Sequence, residues 1–310
     1  MSLFDNAKVV YWLRDPLWGA FYYSVYQAVR ALPCRTASSL GARLGLAEAL
    51  YRHSAASLRA KRCLSIIRPD LTPQARAQVV REMWQNVGRV HAEMAVIDRL
   101  WDSAEITLVN EHAFRDVQRH RRPVLLLFSH LGNWETLAIA MQRMGFTLNV
   151  VYENIRNRFE RNLANRSRRK LGYRLIAPTR AGVREIFSAL ARGEAVALAM
   201  DEIKNANVIA PAFGRPLPDD SNVHYALRLA RRFGAAILPL YCVRTAPLSF
   251  RLSFLDEMIK PDAVQLNALC ETWIRAHPEQ WYMLWRLAPE GLAQVHLYPP
   301  RQPDGVFAVR

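Results

Sequence analysis

The chain has few cysteines, few acidic residues for its basic ones, and no apolar stretch of the length that crosses a bilayer. Its four cysteines, at positions 34, 63, 242 and 270, form no CxxC pair. That spacing fits neither a zinc site nor a disulfide scaffold, and it predicts buried thiols in a reducing compartment. Of the 310 residues 51% are hydrophobic and 22% charged, which excludes a disordered chain.

Two catalytic signatures are also absent. The sequence contains no G-x-S-x-G nucleophile elbow and no H-E-x-x-H zinc motif. A serine hydrolase built on that elbow and a zinc peptidase are therefore not indicated.

The net charge indicates which partners the protein could bind, and not how it folds. Lys and Arg number 42 against 27 Asp and Glu, a formal charge of +15. Nucleic acid, an anionic membrane, and an acidic protein or substrate all fit such a surface. No nucleic-acid-binding motif is present, so nucleic acid is not an expected partner. The alternative is that a GC-rich genome supplies the arginines without any function.

The segment "PLWGAFYYSVYQAV" (16–29) carries no charge and is bounded by Asp15 and Arg30. It is shorter than the roughly 20 apolar residues of a spanning helix. Its tryptophan and tyrosines are side chains that favour the membrane interface. We therefore predict a membrane-associated N-terminal helix within residues 1–35. The alternative is an aromatic helix packed on the domain's own core.

The remaining chain predicts a single α/β domain over 36–310, with a helical part at about 36–104 and an α/β part at about 105–310. Thr72-Pro73 is a helix-start signal within the first part. Five apolar runs predict strands: 123–128, 147–152, 195–200, 235–243 and 249–255. Helices are predicted between them at 134–144, 156–171, 181–192 and 221–233. This alternation indicates a mostly parallel central sheet flanked by helices.

The stretch "PVLLLFSHLGNWETLAIA" (123–140) places His130 and Glu135 on either side of a Gly-Asn turn between a strand and a helix. Ligands bind at the carboxyl ends of such strands. A carboxylate beside an imidazole fixes its tautomer and stabilises its protonated form. The pair therefore predicts a general base with an orienting partner.

Ser129 is not expected to be a nucleophile, because consecutive residues at a strand end tend to point apart. We infer that the base activates a hydroxyl of a bound substrate. The alternative is a histidine satisfied within the fold and an acid that stabilises the helix terminus. One His and one Glu are too few ligands for a metal site.

Four blocks together resemble a known family. "FSHLGNWE" resembles the H-x4-D/E block of the lipid A biosynthesis late acyltransferases, and "AVALAMDE" resembles their second strand ending in Asp. "APAFGRPLPDDSNVHYALRLARRFGAAILPLY" and "HPEQWYMLWR" resemble the family's later blocks, in the same order. The match spans about 110–286. More distantly, the chain is similar to glycerophosphate acyltransferases.

The resemblance implies a membrane-associated enzyme on the cytoplasmic face of the inner membrane. It would move an acyl chain from acyl carrier protein to a hydroxyl of a lipid A precursor. His130 would be the general base and Glu135 its partner, with no cofactor, no metal and no covalent enzyme intermediate.

The run "NIRNRFERNLANRSRRKLGYR" (154–174) holds eight basic residues against one acid. Acyl carrier protein, a phosphorylated lipid or an anionic membrane could meet it; the alternative is the solvated face of a helix. We expect substrate contacts from this run, from the turn and from the later blocks. The predicted residues are Asn133, Arg156, Arg158, Arg161, Asp201, Phe213, Gly214 and Arg215.

Departures from the family pattern leave the acceptor open. Glu153-Asn154 follows Tyr152, where a basic residue is frequent, Glu202 follows Asp201, and Leu287 follows Arg286. A lysophospholipid, an aminolipid or another glycolipid are alternative acceptors. Two other interpretations are a hydrolase that uses the same dyad on water and a basic membrane-binding protein without catalysis.

Overall fold

The computed structural model describes residues 9–152 and 157–292. Its first part is helical, as predicted. After a π-helical turn (Val10–Arg14) come α1 (Asp15–Arg30), α2 (Cys34–Tyr51), α3 (Ser54–Ile67), α4 (Pro73–Ala95) and α5 (Ile97–Ser103). The start of α4 is the predicted one, because the Thr72 hydroxyl accepts a hydrogen bond from the Ala75 amide at 3.2 Å.

Strands and helices alternate in the second part. The strands are β1 (Glu105–Val109), β2 (Val124–Phe128), β3 (Asn149–Val151), β4 (Arg174–Ile176), β5 (Ala195–Ala199), β6 (Glu202–Lys204), β7 (Asn207–Ala210), β8 (Ala236–Ala246) and β9 (Ser249–Phe254). The helices are α6 (Glu111–Arg119), α7 (Thr136–Arg143), α8 (Arg158–Lys170), α9 (Arg180–Ala191), α10 (Asn222–Phe233) and α11 (Ala263–Ala276). All five predicted strands and four predicted helices are present.

Seven strands form one sheet in the order β1-β9-β8-β2-β5-β3-β4, and β6 and β7 form a separate hairpin. From β8 to β4 all neighbours are parallel; β9 runs antiparallel to β8, and β1 lies parallel to β9. The predicted mostly parallel sheet is therefore confirmed. Phe128 of β2 pairs with Ala199 of β5, so the residues that follow these strands emerge side by side.

Both faces of the sheet are covered, which explains why β2 is buried along its whole length. Leu125 and Leu127 join a cluster with residues of α3, α4, α9, α10 and α11. The alternate residues Leu126 and Phe128 join a cluster on the other face with residues of α4, α5 and α7. The helical part of the chain thus supplies cover to the same sheet.

Helices α2 and α4 cross with their backbones in contact. Gly41 and Gly45 of α2 face Gly88 of α4, and a Cβ atom at Gly88 would lie 2.0 Å from the carbonyl oxygen of Gly41. Only glycine permits so close an approach. The crossing fixes α4 beside the turn that follows β2.

Helix α1 has two different faces. On one face Gly19 lies against the Phe159 ring, and the Tyr26 hydroxyl is 2.9 Å from Ser167 Oγ of α8. On the other face Leu17 and Phe21 are 64% and 59% exposed. The helix therefore packs on the domain and also presents an apolar surface. Within residues 9–152 and 157–292, none of the helices combines the length and hydropathy that crossing a bilayer requires.

Candidate functional site

The turn after β2 brings the sequence-predicted pair to the edge of the sheet. Gly132 has a φ of 60°, a conformation that favours glycine. The Asn133 side-chain oxygen accepts a hydrogen bond from the Glu135 amide at 3.1 Å, and its carbonyl accepts one from the Thr136 amide at 3.1 Å. These bonds close the first turn of α7 and set Glu135 at its N-terminal end.

Asp201, which follows β5, holds the His130 ring. His130 Nδ1 is 2.9 Å from Asp201 Oδ1, and the His130 amide donates to Asp201 Oδ2 at 2.9 Å. The Trp281 indole N–H donates to the same Oδ2 at 2.9 Å. The Asp201 side chain is completely buried. This carboxylate differs from the one predicted at the ring from sequence, because β2 and β5 are adjacent and in register.

Glu135 lies in the same site and binds Arg168 of α8. Its two oxygens accept hydrogen bonds from Arg168 Nε at 3.0 and 3.2 Å, and Oε1 also accepts from Nη2 at 2.5 Å. Beneath the pair, Tyr173 donates to the Glu135 carbonyl at 3.4 Å. Burial, and next the charge of Glu135, raise the pKa of Tyr173 well above its usual value, so the phenol is neutral.

The segment around Gln280 and Tyr282, at the end of the α/β part, is hydrogen-bonded to the turn after β2. Gly132 donates its amide to the Gln280 carbonyl at 3.2 Å, and the Tyr282 amide donates to the His130 carbonyl at 3.0 Å. From α4, the Asn86 side-chain amide donates to the carbonyls of both Gly132 and Gln280 at 3.1 Å. Together with the contacts of Asp201, these hydrogen bonds bring three of the four sequence blocks together at the turn.

A buried ionic network stabilises the other side of the turn. Glu93 of α4 is fully buried and accepts two hydrogen bonds from the Arg244 guanidinium, each 2.8 Å long. It also accepts from the side-chain Nδ2 of Asn133 at 2.7 Å and from the Ser38 hydroxyl at 2.6 Å. Arg244 in turn donates to Asn86 Oδ1 at 3.3 Å. Buried charges persist when they are paired and hydrogen-bonded in this way.

His130 opens on a cavity of about 540 Å³. Apolar side chains from the sheet, α4 and α7 line much of it, together with Glu135, Arg168 and Arg286. Helices α1 and α8 form one wall through Tyr22 and Ala164. The apolar part of the lining comprises Val90, Met94, Phe128, Leu137, Val150, Val151, Ile203 and Met283.

An aromatic series extends from His130 along the cavity. The Trp134 ring stands edge-on to His130 with centroids 4.7 Å apart, and Tyr282 stands edge-on to Trp134 at 5.1 Å. The Tyr282 hydroxyl is 3.2 Å from Nε2 of His91, whose Nδ1 is 2.9 Å from the Val87 carbonyl. Desolvation lowers the pKa of His91, which keeps this second histidine neutral at pH 7.

Several predicted substrate contacts lie behind the cavity instead of in it. Asn133, Asp201 and Phe213 are each at most 1% exposed, and none of them lines the cavity. Phe213 donates its amide to Glu271 at 2.6 Å, and its ring centroid is 5.8 Å from that of Trp281. These residues therefore shape the site through the packing around it and not through the cavity surface.

The predicted arginines that lie within the described residues are also absent from the cavity lining. Arg215 donates to the carbonyls of Val208, Pro211 and Ala212 and so fixes the loop of Gly214. Arg158 stacks over the Tyr11 ring at 3.7 Å. Arg161 is half-buried on α8, and Arg156 lies outside the described residues.

The cavity residues that were not predicted from sequence include Tyr22, His91, Arg168 and Tyr282. Arg168 belongs to the basic run 154–174, but nothing in that run distinguishes it from its neighbours. Tyr22 belongs to the aromatic segment that was assigned to the membrane. His91 carries no local signal at all, since it is one polar residue in an amphipathic helix.

The family model for the bacterial lipid A biosynthesis acyltransferases matches residues 10–288. No curated protein gives a significant sequence match. A solved structure, the 1-acyl-sn-glycerophosphate (LPA) acyltransferase PlsC from Thermotoga maritima, is 12% identical with a TM-score of 0.35, over 78% of this chain and 95% of that one. The chain belongs to the bacterial lipid A biosynthesis acyltransferase family, and it is an acyltransferase that takes an acyl donor and a lipid acceptor.

Proposed function

We propose that this protein transfers a fatty acyl chain from acyl carrier protein to a hydroxyl of a lipid A precursor at the cytoplasmic face of the inner membrane. The observation that carries the proposal is His130, held by a buried carboxylate in the lining of a large, mostly apolar cavity. Family membership supports the reaction class.

In this mechanism His130 is the general base. It takes the proton of the acceptor hydroxyl as that oxygen bonds to the thioester carbonyl carbon. The tetrahedral intermediate then collapses with cleavage of the C–S bond, and the imidazolium returns the proton to the departing thiolate. Ser129 is 1% exposed, which agrees with direct transfer and no acyl-enzyme intermediate.

The cavity lining suits an amphiphilic substrate. The apolar residues would bury an acyl chain, at about 0.8 kcal/mol for each methylene removed from water. Arg286 supplies positive charge at the same cavity, where a guanidinium is suited to a phosphate group. A phosphorylated glycolipid combines both features.

The outer face of α8 supports an acidic donor protein. Arg166, Arg169 and Lys170 are exposed on that helix, while its inner face lines the cavity with Glu160, Ala164 and Arg168. An acidic acyl carrier protein bound there would bring its thioester to the cavity wall. The salt dependence of the KM for acyl carrier protein would report such contacts.

Transfer is tested with purified protein, acyl-acyl carrier protein and a lipid A precursor, with the product measured by mass spectrometry. We expect one added acyl chain, and a loss of about a hundredfold or more in folded His130→Ala and Glu135→Ala proteins. Near-full activity in folded His130→Ala would contradict the mechanism.

The acceptor is identified by lipid mass spectrometry of the source bacterium with and without the gene. We expect one secondary acyl chain to disappear from lipid A. Loss of an acylated phospholipid, aminolipid or other glycolipid instead would keep the chemistry and replace the acceptor.

The apolar face of α1 supports contact with a membrane surface. We expect a triple variant, Leu17→Ser with Phe21→Ser and Val25→Ser, to lose binding to anionic vesicles while its circular dichroism stays unchanged. The control replaces two apolar residues outside α1 that are even more exposed, Ile259 and Val264, by Ser. If both variants bind alike, α1 is not the contact.

A further inference from the structure

Arg286 adds a positive charge to the cavity lining that no acid compensates. The two carboxylates of the lining have other partners: Glu135 binds Arg168. Glu160 accepts a hydrogen bond from the Trp18 indole. In the part of the chain that the structure describes, Arg286 forms no ion pair with a carboxylate. A half-buried guanidinium without a counter-charge favours an anionic ligand.

A cluster of rings holds the Arg286 guanidinium flat. Its Cζ lies 4.1 Å from the centroid of the Trp285 ring. Trp285 packs on Trp84 with centroids 5.5 Å apart, and the His53 ring lies 5.1 Å from Trp84 and 5.5 Å from Trp285. The Trp285 carbonyl accepts a hydrogen bond from Arg59 Nη2 at 2.8 Å. Stacking engages the face of a guanidinium and leaves the N–H groups at its edge as donors for a planar pair of oxygens.

We propose that Arg286 binds a phosphate group of the lipid acceptor, and that Trp285 is the residue that positions it. The inference rests on the proposed function, in which the acceptor meets His130 in this cavity. Tyr282 donates its amide to the His130 carbonyl and precedes Arg286 by four residues, which span at most about 14 Å of chain. One lipid headgroup can therefore contact the base and the guanidinium together.

The donor also carries a phosphate, in the phosphopantetheine arm of acyl carrier protein. That phosphate is joined directly to the carrier protein, at the end of the arm opposite the thioester. It therefore lies between the two protein surfaces when the thioester is at the base. Arg286 lies in the cavity lining with His130, which favours the acceptor as the source of the phosphate.

Binding without transfer gives the first test. Calorimetry of the full chain uses dodecyl phosphate and the neutral dodecyl glucoside, both below their micellar concentrations. We expect Arg286→Gln to weaken the binding of dodecyl phosphate about tenfold or more, and to leave that of dodecyl glucoside unchanged. The control is Arg62→Gln, which removes the same charge from an exposed residue outside the cavity lining and should change neither.

Two results of this test would overturn the proposal. One is wild-type affinity of Arg286→Gln for dodecyl phosphate, and the other is an equal loss in Arg62→Gln, which would indicate net charge instead of a site. The measurement needs no acyl transfer. A protein that binds dodecyl phosphate through Arg286 but transfers no acyl chain would reject the proposed function and keep the phosphate site.

The positioning role of Trp285 is tested with variants that keep or remove its aromatic face. We expect Trp285→Phe to bind dodecyl phosphate nearly as the wild type does, and Trp285→Leu to bind it about threefold to tenfold more weakly. In the Arg286→Gln background Trp285→Leu should cause no further loss, and an equal loss in both backgrounds would overturn the role. If Trp285→Leu does not fold, Arg286→Lys decides. Lysine keeps the charge without a planar group, so full recovery of binding would overturn the role.

Transfer kinetics distinguish the acceptor from the donor. With a phosphorylated lipid A precursor we expect Arg286→Gln to raise the KM for the acceptor about tenfold to a hundredfold. The KM for acyl-acyl carrier protein should stay unchanged. With the same precursor after phosphatase treatment, wild type and variant should have equal KM values. A rise in the KM for the carrier protein alone, or an equal rise with both precursors, would overturn the assignment to the acceptor phosphate.

Discussion

The buried pair of Glu93 and Arg244 predicts a large and specific loss of stability. In Glu93→Gln the shape of the side chain is kept, but the Arg244 guanidinium stays in the interior without its counter-charge. Removal of one partner of a buried ion pair costs about 3–5 kcal/mol. The side chains of Glu93 and Arg244 are 0% and 10% exposed, so water cannot solvate the guanidinium that has lost its partner.

The expected shift in melting temperature follows from chain length. At about 2.1 cal/mol/K per residue, the 310 residues have an unfolding entropy of roughly 0.65 kcal/mol/K. A loss of about 4 kcal/mol then lowers Tm by about 6 °C. The assay is thermal unfolding followed by circular dichroism, with the urea midpoint as a second measure.

The chain provides a matched control at its surface. Arg122 binds Glu257 with the same two-pronged geometry, at 2.8 and 2.7 Å, but its side chain is 44% exposed. Glu257→Gln should cost no more than about 1 kcal/mol. In a double-mutant cycle, Glu93→Gln with Arg244→Met should cost at least about 1 kcal/mol less than the sum of the single variants. Additive losses, or a Glu93→Gln cost as small as that of Glu257→Gln, would refute the reasoning.

Three further predictions concern helix packing, alkaline stability and thiol reactivity. Gly88→Ala places a Cβ atom against the Gly41 carbonyl, and should lower the urea-unfolding free energy by about 1–3 kcal/mol although alanine favours helix. The pKa of Tyr173 is raised in the folded protein, so above about pH 10 the phenol ionises in the unfolded state and not in the folded one. The wild type should therefore lose stability as the pH rises above that value. Tyr173→Phe should show a flatter decline. Burial raises the pKa of the Cys63 thiol to about 12, so iodoacetamide at pH 8 should leave it unmodified in the native protein and alkylate it in urea.

Each of these has an outcome that contradicts it. A Gly88→Ala protein as stable as the wild type would mean that α2 and α4 can separate without cost. Parallel alkaline curves for Tyr173→Phe and wild type would show that the phenol ionises alike in both states. Alkylation of native Cys63, located by peptide mass spectrometry, would show that the thiol is accessible.

The sheet core was predictable because its strands are long apolar runs. β2, β5 and β8 need no knowledge of their neighbours, since burial on both faces requires apolar side chains throughout. β4, β6 and β7 have three or four residues each, too few to show a period, and they were not predicted. Helix α11 was also missed, although Asp262 and Gln265 form a capping box at its start.

The candidate site was predictable only in its local part. The position of His130 and Glu135 at one turn follows from the sequence between them. The partner of the ring does not, because it depends on β5 lying beside β2 although 71 residues separate His130 from Asp201. The same limit applies to Arg168, whose approach to Glu135 depends on where α8 packs.

The docking of α1 on α8 has a consequence for how the protein is made. The contact between Tyr26 and Ser167 joins residues 141 positions apart. At about 5–20 residues per second, synthesis of the intervening chain takes roughly 7–30 s. During that interval α8, the surface on which α1 docks, has not yet been synthesised. Both faces of α1 are then without the partner that the folded protein provides. The wall that α1 contributes to the cavity is therefore completed only after α8 has been translated, well after α1 itself.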